Sequence, residues 1–137
     1  MKKYSDFKIL IAEDEPSIRR IYKKTFEAEG YEVVLAATGG EVMAELEEGS
    51  FDLLVTDLHL DHTSALEILP YIRKEHPSLP IVIVSGHYVQ LSEDFKKRGY
   101  NVKYFFNKPL SMNVLLGAVR NILGNPEKPV SCDGPSA

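Results

Sequence analysis

A single cysteine, Cys132, is all the thiol this 137-residue chain possesses, and it lies in a polar C-terminal stretch. A lone cysteine cannot close an internal disulfide, and Cys132 lacks the neighbours of a thiol site. No apolar run approaches the length of a membrane span. The start, Met1-Lys2-Lys3-Tyr4-Ser5-Asp6, is basic but lacks the apolar stretch of a signal peptide. Positive charge is not in excess: 16 Lys and Arg against 20 Asp and Glu leave −4, so no global basic field draws nucleic acid. The four histidines, His59, His62, His76 and His87, have no zinc-like spacing. Gly39-Gly40 and Gly86 fit neither a Walker A loop nor a dinucleotide fingerprint. These absences leave a soluble protein, with the cytoplasm as its expected compartment. The length suits one domain with a real core rather than two.

What the chain does have is an alternation of apolar runs and helical stripes, which predicts a parallel sheet with helices on both faces. Runs at 8–12, 31–36, 51–57, 81–84 and 102–106 read as strands. Ile81-Val82-Ile83-Val84 is continuous, as in a strand buried on both faces. Pro16 near a first helical position, with Asp14 as a candidate cap, precedes the stripe Ile18, Ile21, Tyr22, Thr25, Phe26, and Gly30 ends it. Thr38-Gly39-Gly40-Glu41 has capping-box spacing and opens a helix to about Glu48. Ser64-Ala65-Leu66-Glu67 is a second such box, and Pro70 beyond it predicts a kink or a nearby helix start. Residues 87–98 carry only a weak stripe, Val89, Leu91 and Phe95. Ser111 caps a last helix with Leu115, Leu116, Val119, Ile122 and Leu123 on its apolar face. The pattern predicts an α/β fold, flavodoxin-like and doubly wound, with five βα units. The domain is read as 1–123, and 124–137 as a flexible tail or linker by composition.

Three of these strands end in chemistry-bearing residues. The first runs into Glu13-Asp14-Glu15, the third ends at Asp57, and the fifth runs into Asn107-Lys108-Pro109. Open α/β sheets place ligands at the carboxyl ends of their strands. Glu13-Asp14 alone would read as a solvated loop whose acids favour the following helix N-terminus. Asp57 alone could cap or turn, and Lys108 alone would be a surface lysine. Together they offer oxygen ligands for Mg2+, a carboxylate able to accept a phosphoryl group, and an ammonium to contact phosphate. Ser85, after the buried fourth strand, either caps locally or bonds a phosphoryl oxygen. His59 and His87 follow Asp57 and Ser85 and could flank the mouth of a site.

This ordered set, Glu13-Asp14, Asp57, Ser85 and Lys108-Pro109, resembles the receiver domain of two-component response regulators over about residues 8–123. The resemblance implies a five-stranded parallel sheet in the order 2-1-3-4-5. It implies that Asp57 takes a phosphoryl group from the phosphohistidine of a sensor histidine kinase or histidine phosphotransfer protein. It implies Mg2+ held by Glu13, Asp14, Asp57 and the main-chain carbonyl of His59, with Ser85 and Lys108 on phosphoryl oxygens. Phe105 occupies the family's aromatic switch position, without the hydroxyl of the common tyrosine. A homodimer through the 87–123 face is implied as an option, with no direct contact to nucleic acid or membrane. Such a domain is no enzyme beyond its own phosphorylation and dephosphorylation. Two features depart from the family pattern: Leu60-Asp61-His62-Thr63 replaces a Met-Pro-Gly-like turn, and residues 98–103 are longer than the usual turn before the fifth strand. A Mg2+-dependent phosphohydrolase is the rival. It would want an acid two residues after the nucleophile, where this chain has His59. A receiver-like module that is never phosphorylated would not need the intact Asp57, Lys108 and acidic pair.

Overall fold

The computed structural model describes residues 7–60, 63–86 and 97–124. In chain order the elements are β1 (Lys8–Ala12), α1 (Pro16–Ala28), β2 (Glu32–Ala36), α2 (Gly39–Glu48), β3 (Leu53–Asp57), α3 (Ala65–Glu75), β4 (Ile81–Ser85), β5 (Val102–Asn107) and α4 (Met112–Leu123). The five strands form one parallel sheet, as the apolar alternation predicts, in the order β2-β1-β3-β4-β5 that the resemblance implies.

Side chains of a strand alternate between faces, so each strand feeds two cores. Leu10, Leu54, Ile81 and Ile83 pack under α2 and α3, against Val42, Leu46, Ile68 and Ile72. Ile9, Ile11, Leu53, Val55, Val82 and Val84 pack under α1 and α4, against Tyr22, Phe26, Leu115 and Val119. β3 and β4 are buried at every position, which explains why their sequences are unbroken apolar runs rather than alternations.

The helix starts follow local chemistry. Thr38 Oγ1 accepts the Glu41 N–H at 3.1 Å, and Glu41 Oε1 accepts the Ala37 N–H at 2.6 Å, a reciprocal cap displaced by one residue on its return leg. Ser111 Oγ accepts the Asn113 N–H at 3.1 Å. At α1 the cap position falls on Glu15 rather than Asp14, with Pro16 next, so Asp14 is not used as a cap. α3 contains Pro70 in its second turn, on the solvent side, with Ile68 and Leu69 beside it buried. The capping box proposed at Ser64 rests on a side chain outside the described ones, and the weak stripe of 87–98 lies, up to residue 96, outside the described residues.

The long segment before β5 has a structural consequence. Ile81 pairs with Val102 but Val82 pairs with Tyr104, so Lys103 is an extra residue in the ladder and is exposed. This bulge reverses the parity of β5 beyond it. Val102 and Phe105 therefore belong to the α2/α3 core, while Tyr104 and Phe106 lie on the α1/α4 side, stacked 5.5 Å apart.

Candidate functional site

Because all five strands are parallel, the residues following them gather at one edge of the sheet. The ladder carries on past the strands: Glu13 N donates to Ala36 O at 3.0 Å, Leu58 N to Val84 O at 3.1 Å and Lys108 N to Ser85 O at 2.7 Å. Parity then decides which side chains meet. Glu13 continues the Ile9, Ile11 series, Asp57 the Leu53, Val55 series, and Lys108 the Tyr104, Phe106 series, all on the α1/α4 side. Ser85 continues Ile81 and Ile83 on the opposite side, shared with Phe105.

Lys108 Nζ stands 2.7 Å from Asp57 Oδ2 and 3.3 Å from Glu13 Oε1. The two acids are nearly inaccessible, Glu13 at 1% and Asp57 at 8% exposure, so the lysine is their counter-charge. The other Asp57 oxygen, Oδ1, accepts the main-chain N–H of His59 at 3.1 Å. Glu13 Oε2 accepts the Glu15 N–H at 3.1 Å. Asp14 is exposed, and carboxylate oxygens of Glu13, Asp14 and Asp57 all lie within 4.8 Å of one another. Thr56, fully buried, donates its hydroxyl to the Asp57 carbonyl at 2.8 Å and so steadies the end of β3.

The electrostatics follow from burial. Desolvation pushes the Glu13 carboxyl above its ordinary value, with the Asp57 charge adding to it and the Glu15 amide and Lys108 only partly opposing it. For Lys108, burial pulls downward, but the bond and charge of Asp57, then those of Glu13, outweigh it and raise the ammonium above its ordinary value. The Tyr22 phenol is pushed up to about 12, first by burial and then by the charge of Glu13. Tyr22 lines a cavity of about 450 Å³ beside Lys108, with Ile18, Val84, Leu110 and Met112 among its walls.

The structure brings Glu13, Asp14, Asp57 and Lys108 together. Ser85 is at the same edge, buried, and tied to Lys108 through its main-chain carbonyl. Phe105 is half-buried in the α2/α3 core. His59 is exposed and begins a two-residue antiparallel ladder, His59–Leu60 with Thr63–Ser64, in place of the Met-Pro-Gly-like turn. His62 and His87 lie outside the described residues. His76 is at the far end of the molecule, half-buried and edge-on to Tyr71. Arg19, Tyr22 and Thr56 touch or adjoin the site but carry no motif. They read in the sequence as ordinary helix and strand positions.

A family model for the response regulator receiver domain matches residues 9–120. The DNA-binding transcriptional regulator NtrC of Bradyrhizobium sp. (strain RP501 Parasponia) is 27% identical over 125 residues, covering 90% of this chain and 25% of that protein. Sensor kinase CckA of Brucella abortus (strain 2308) is 31% identical over 120 residues, covering 84% of this chain and 12% of that one. The chain spans about a quarter of the length of the transcriptional regulators NtrC and GlrR that it matches. Among solved structures, a CheY-like receiver domain protein from Methanospirillum hungatei JF-1 superposes with a TM-score of 0.79 at 30% identity, covering 85% of this chain and 93% of that one. TrrA from Thermotoga maritima, solved in complex with Mg(2+)-BeF, gives a TM-score of 0.74 at 27% identity, covering 85% and 98%. Among the described residues no helix is long and apolar enough to cross a membrane. The family match spans most of the chain, and the protein therefore belongs to the response regulator receiver domains, the phosphoacceptor modules of two-component signal transduction.

Proposed function

We propose that Asp57 is the phosphoacceptor of this domain. One observation carries the assignment: its carboxylate lies 2.7 Å from the Lys108 ammonium within an acid cluster at the carboxyl edge of the sheet. In the transfer, an Asp57 carboxylate oxygen attacks the phosphorus of a phosphohistidine. The new O–P bond forms as the P–N bond breaks, and the leaving imidazole nitrogen keeps the electron pair and takes a proton. Lys108 has its ammonium where a phosphoryl oxygen on Asp57 would need it, and Ser85 is the hydroxyl at the same edge for a second oxygen. His59 N–H, bonded to Asp57 Oδ1, holds the carboxylate plane.

The donor set fits Mg2+. Three carboxylates within 4.8 Å of one another form an oxygen-only cluster, the type a hard divalent cation selects. Asp14, Asp57 and the His59 carbonyl would hold the ion, with Glu13 assisting while its own oxygens engage Glu15 and Lys108. Bound there, Mg2+ would supply charge that offsets repulsion between the acids and an incoming phosphoryl group.

The partner on this reading is a sensor histidine kinase or a histidine phosphotransfer protein, in the cytoplasm where such donors are charged from ATP. The relatives include the sensor kinase CckA and the sensor protein EvgS, which supports it. The domain catalyses only its own phosphorylation and dephosphorylation. Its output runs through Ser85 and Phe105 to the 87–123 face, where a downstream partner or a second copy of the chain docks. The phosphohydrolase reading loses ground because the position two residues after Asp57 holds His59, not an acid.

The test is intact mass after incubation with Mg2+ and a small phosphodonor such as acetyl phosphate. The parent gains one phosphoryl group and Asp57→Asn gains none. Full labelling of Asp57→Asn would sink the assignment.

A further inference from the structure

The loop that carries Asp14 consists of three consecutive acids, Glu13-Asp14-Glu15, whose like charges repel. Glu13 is tethered at each of its polar atoms. Its N–H goes to Ala36 O at 3.0 Å, and its carboxylate accepts from Glu15 N at 3.1 Å and Lys108 Nζ at 3.3 Å. Its carbonyl oxygen accepts Arg19 Nη1 at 2.8 Å. Arg19 also donates its main-chain N–H to Glu15 O at 2.9 Å, so one residue of α1 grips the loop at two points. The other cations of α1 behave differently: Arg20, Lys23 and Lys24 are exposed, and Lys23 pairs along the helix with Glu27.

Among the described residues nothing hydrogen-bonds the Asp14 carboxylate, which is exposed. Its direction is set by the backbone that carries it. The peptide group between Glu13 and Asp14 is planar, so the Glu13 carbonyl oxygen and the Asp14 Cα move as one plate. A bond that fixes the oxygen fixes the tilt of the plate.

We propose that Arg19 is a positioning residue for the metal site: through the Glu13 carbonyl it aims the untethered Asp14 carboxylate at Glu13 and Asp57. This deepens the metal reading given above and rests on it. Arg19 touches neither the metal nor the phosphoryl group. It acts on Asp14 through one peptide plane, as outer-shell partners of metal ligands do. A purely structural role, stapling the start of α1, would alter stability and leave metal affinity alone.

Arg19→Met keeps the aliphatic stem and removes the donor, and Arg19→Lys keeps a single charged donor. Both are compared with the parent chain in a calorimetric Mg2+ titration and in urea unfolding with EDTA. Arg19→Met should weaken Mg2+ binding by about tenfold while its EDTA midpoint stays close to the parent's. Arg19→Lys should recover most of the affinity. Unchanged Mg2+ affinity in Arg19→Met overturns the proposal while leaving the metal site standing. Equal losses in the Met and Lys variants also overturn it, since packing would then account for both. Should Arg19→Met fail to fold, Arg19→Leu, which also lacks a side-chain donor, takes its place, and undiminished affinity there overturns the proposal likewise. Absence of Mg2+ binding by the parent overturns the metal reading and this inference with it.

Discussion

Lys108→Met probes the electrostatics of the site most directly. Methionine keeps an unbranched apolar stem but removes the ammonium that stands 2.7 Å from Asp57 and 3.3 Å from Glu13. At an effective dielectric near 20, each such contact is worth roughly 5–6 kcal/mol in gross Coulomb terms. Most of that is offset, because burying each ion costs several kcal/mol. Lys108 is also 28% exposed, so water screens its side of the pair. The net loss should be about 2 kcal/mol at neutral pH without Mg2+, below the ~3–5 kcal/mol of a fully buried pair that loses one partner. Urea unfolding in EDTA reads it: with a slope of roughly 1–3 kcal/mol per molar, the midpoint should drop by about 1 M. The pH dependence gives the sharper test. Glu13 titrates above its ordinary 4.5 in the folded protein, chiefly from burial. A group with a raised folded pKa contributes stability below its unfolded value and loses it as pH rises through the folded value. Removing Lys108 takes away an influence that lowers Glu13, so its folded pKa climbs further. The deficit of Lys108→Met should be smaller near pH 4.5 than at neutrality, by the share that comes from Glu13. Adding Glu13→Gln should recover part of it, the share that comes from Glu13, while the loss of the Asp57 contact remains. An equal deficit at both pH values, or no recovery in the double variant, would refute the charge argument.

Asp14→Asn should abolish Mg2+ binding in a calorimetric titration yet leave apo stability at or slightly above the parent's, since it relieves repulsion in a run of acids. In an alkaline absorbance titration one tyrosine should ionise near 12, and Tyr22→Phe should remove that step. Because the Tyr22 pKa is raised, its stabilising contribution is present below the ordinary 10.0 and fades as pH rises toward about 12, so unfolding of Tyr22→Phe should be less sensitive to pH across that window. Leu54→Ala, at a fully buried position of β3, should cost about 3 kcal/mol, measured by thermal or urea unfolding.

Much of this molecule can be read from local pattern. The continuous run Ile81-Val82-Ile83-Val84 announces a strand covered on both faces, and β4 is buried throughout. Thr38 and Ser111 mark helix starts because a short side-chain oxygen can reach a free N–H two or three residues on, and both do so. The acids and the lysine were legible because parallel strands must deliver their carboxyl ends to one edge, so position after a strand is already position in space. Other features were not legible, because they depend on how elements meet. The Asp14 cap was a reasonable local reading, but Glu15 occupies that position. The bulge at Lys103 has no motif. It arises because a longer approach to β5 must still deliver Phe105 to one core and Tyr104 and Phe106 to the other. Arg19 and Tyr22 are ordinary helix residues in one dimension, and only the packing of α1 across the end of β1 turns one onto a carbonyl and the other into the wall beside Lys108. The sequence by itself determined which groups stand at the strand ends, since carboxylates, an ammonium and strand ends are properties of residues and period. Tertiary structure alone decided which of them touch, how deeply they are buried and hence how they titrate. Distance and desolvation depend on neighbours that lie as far apart along the chain as Glu13 and Lys108.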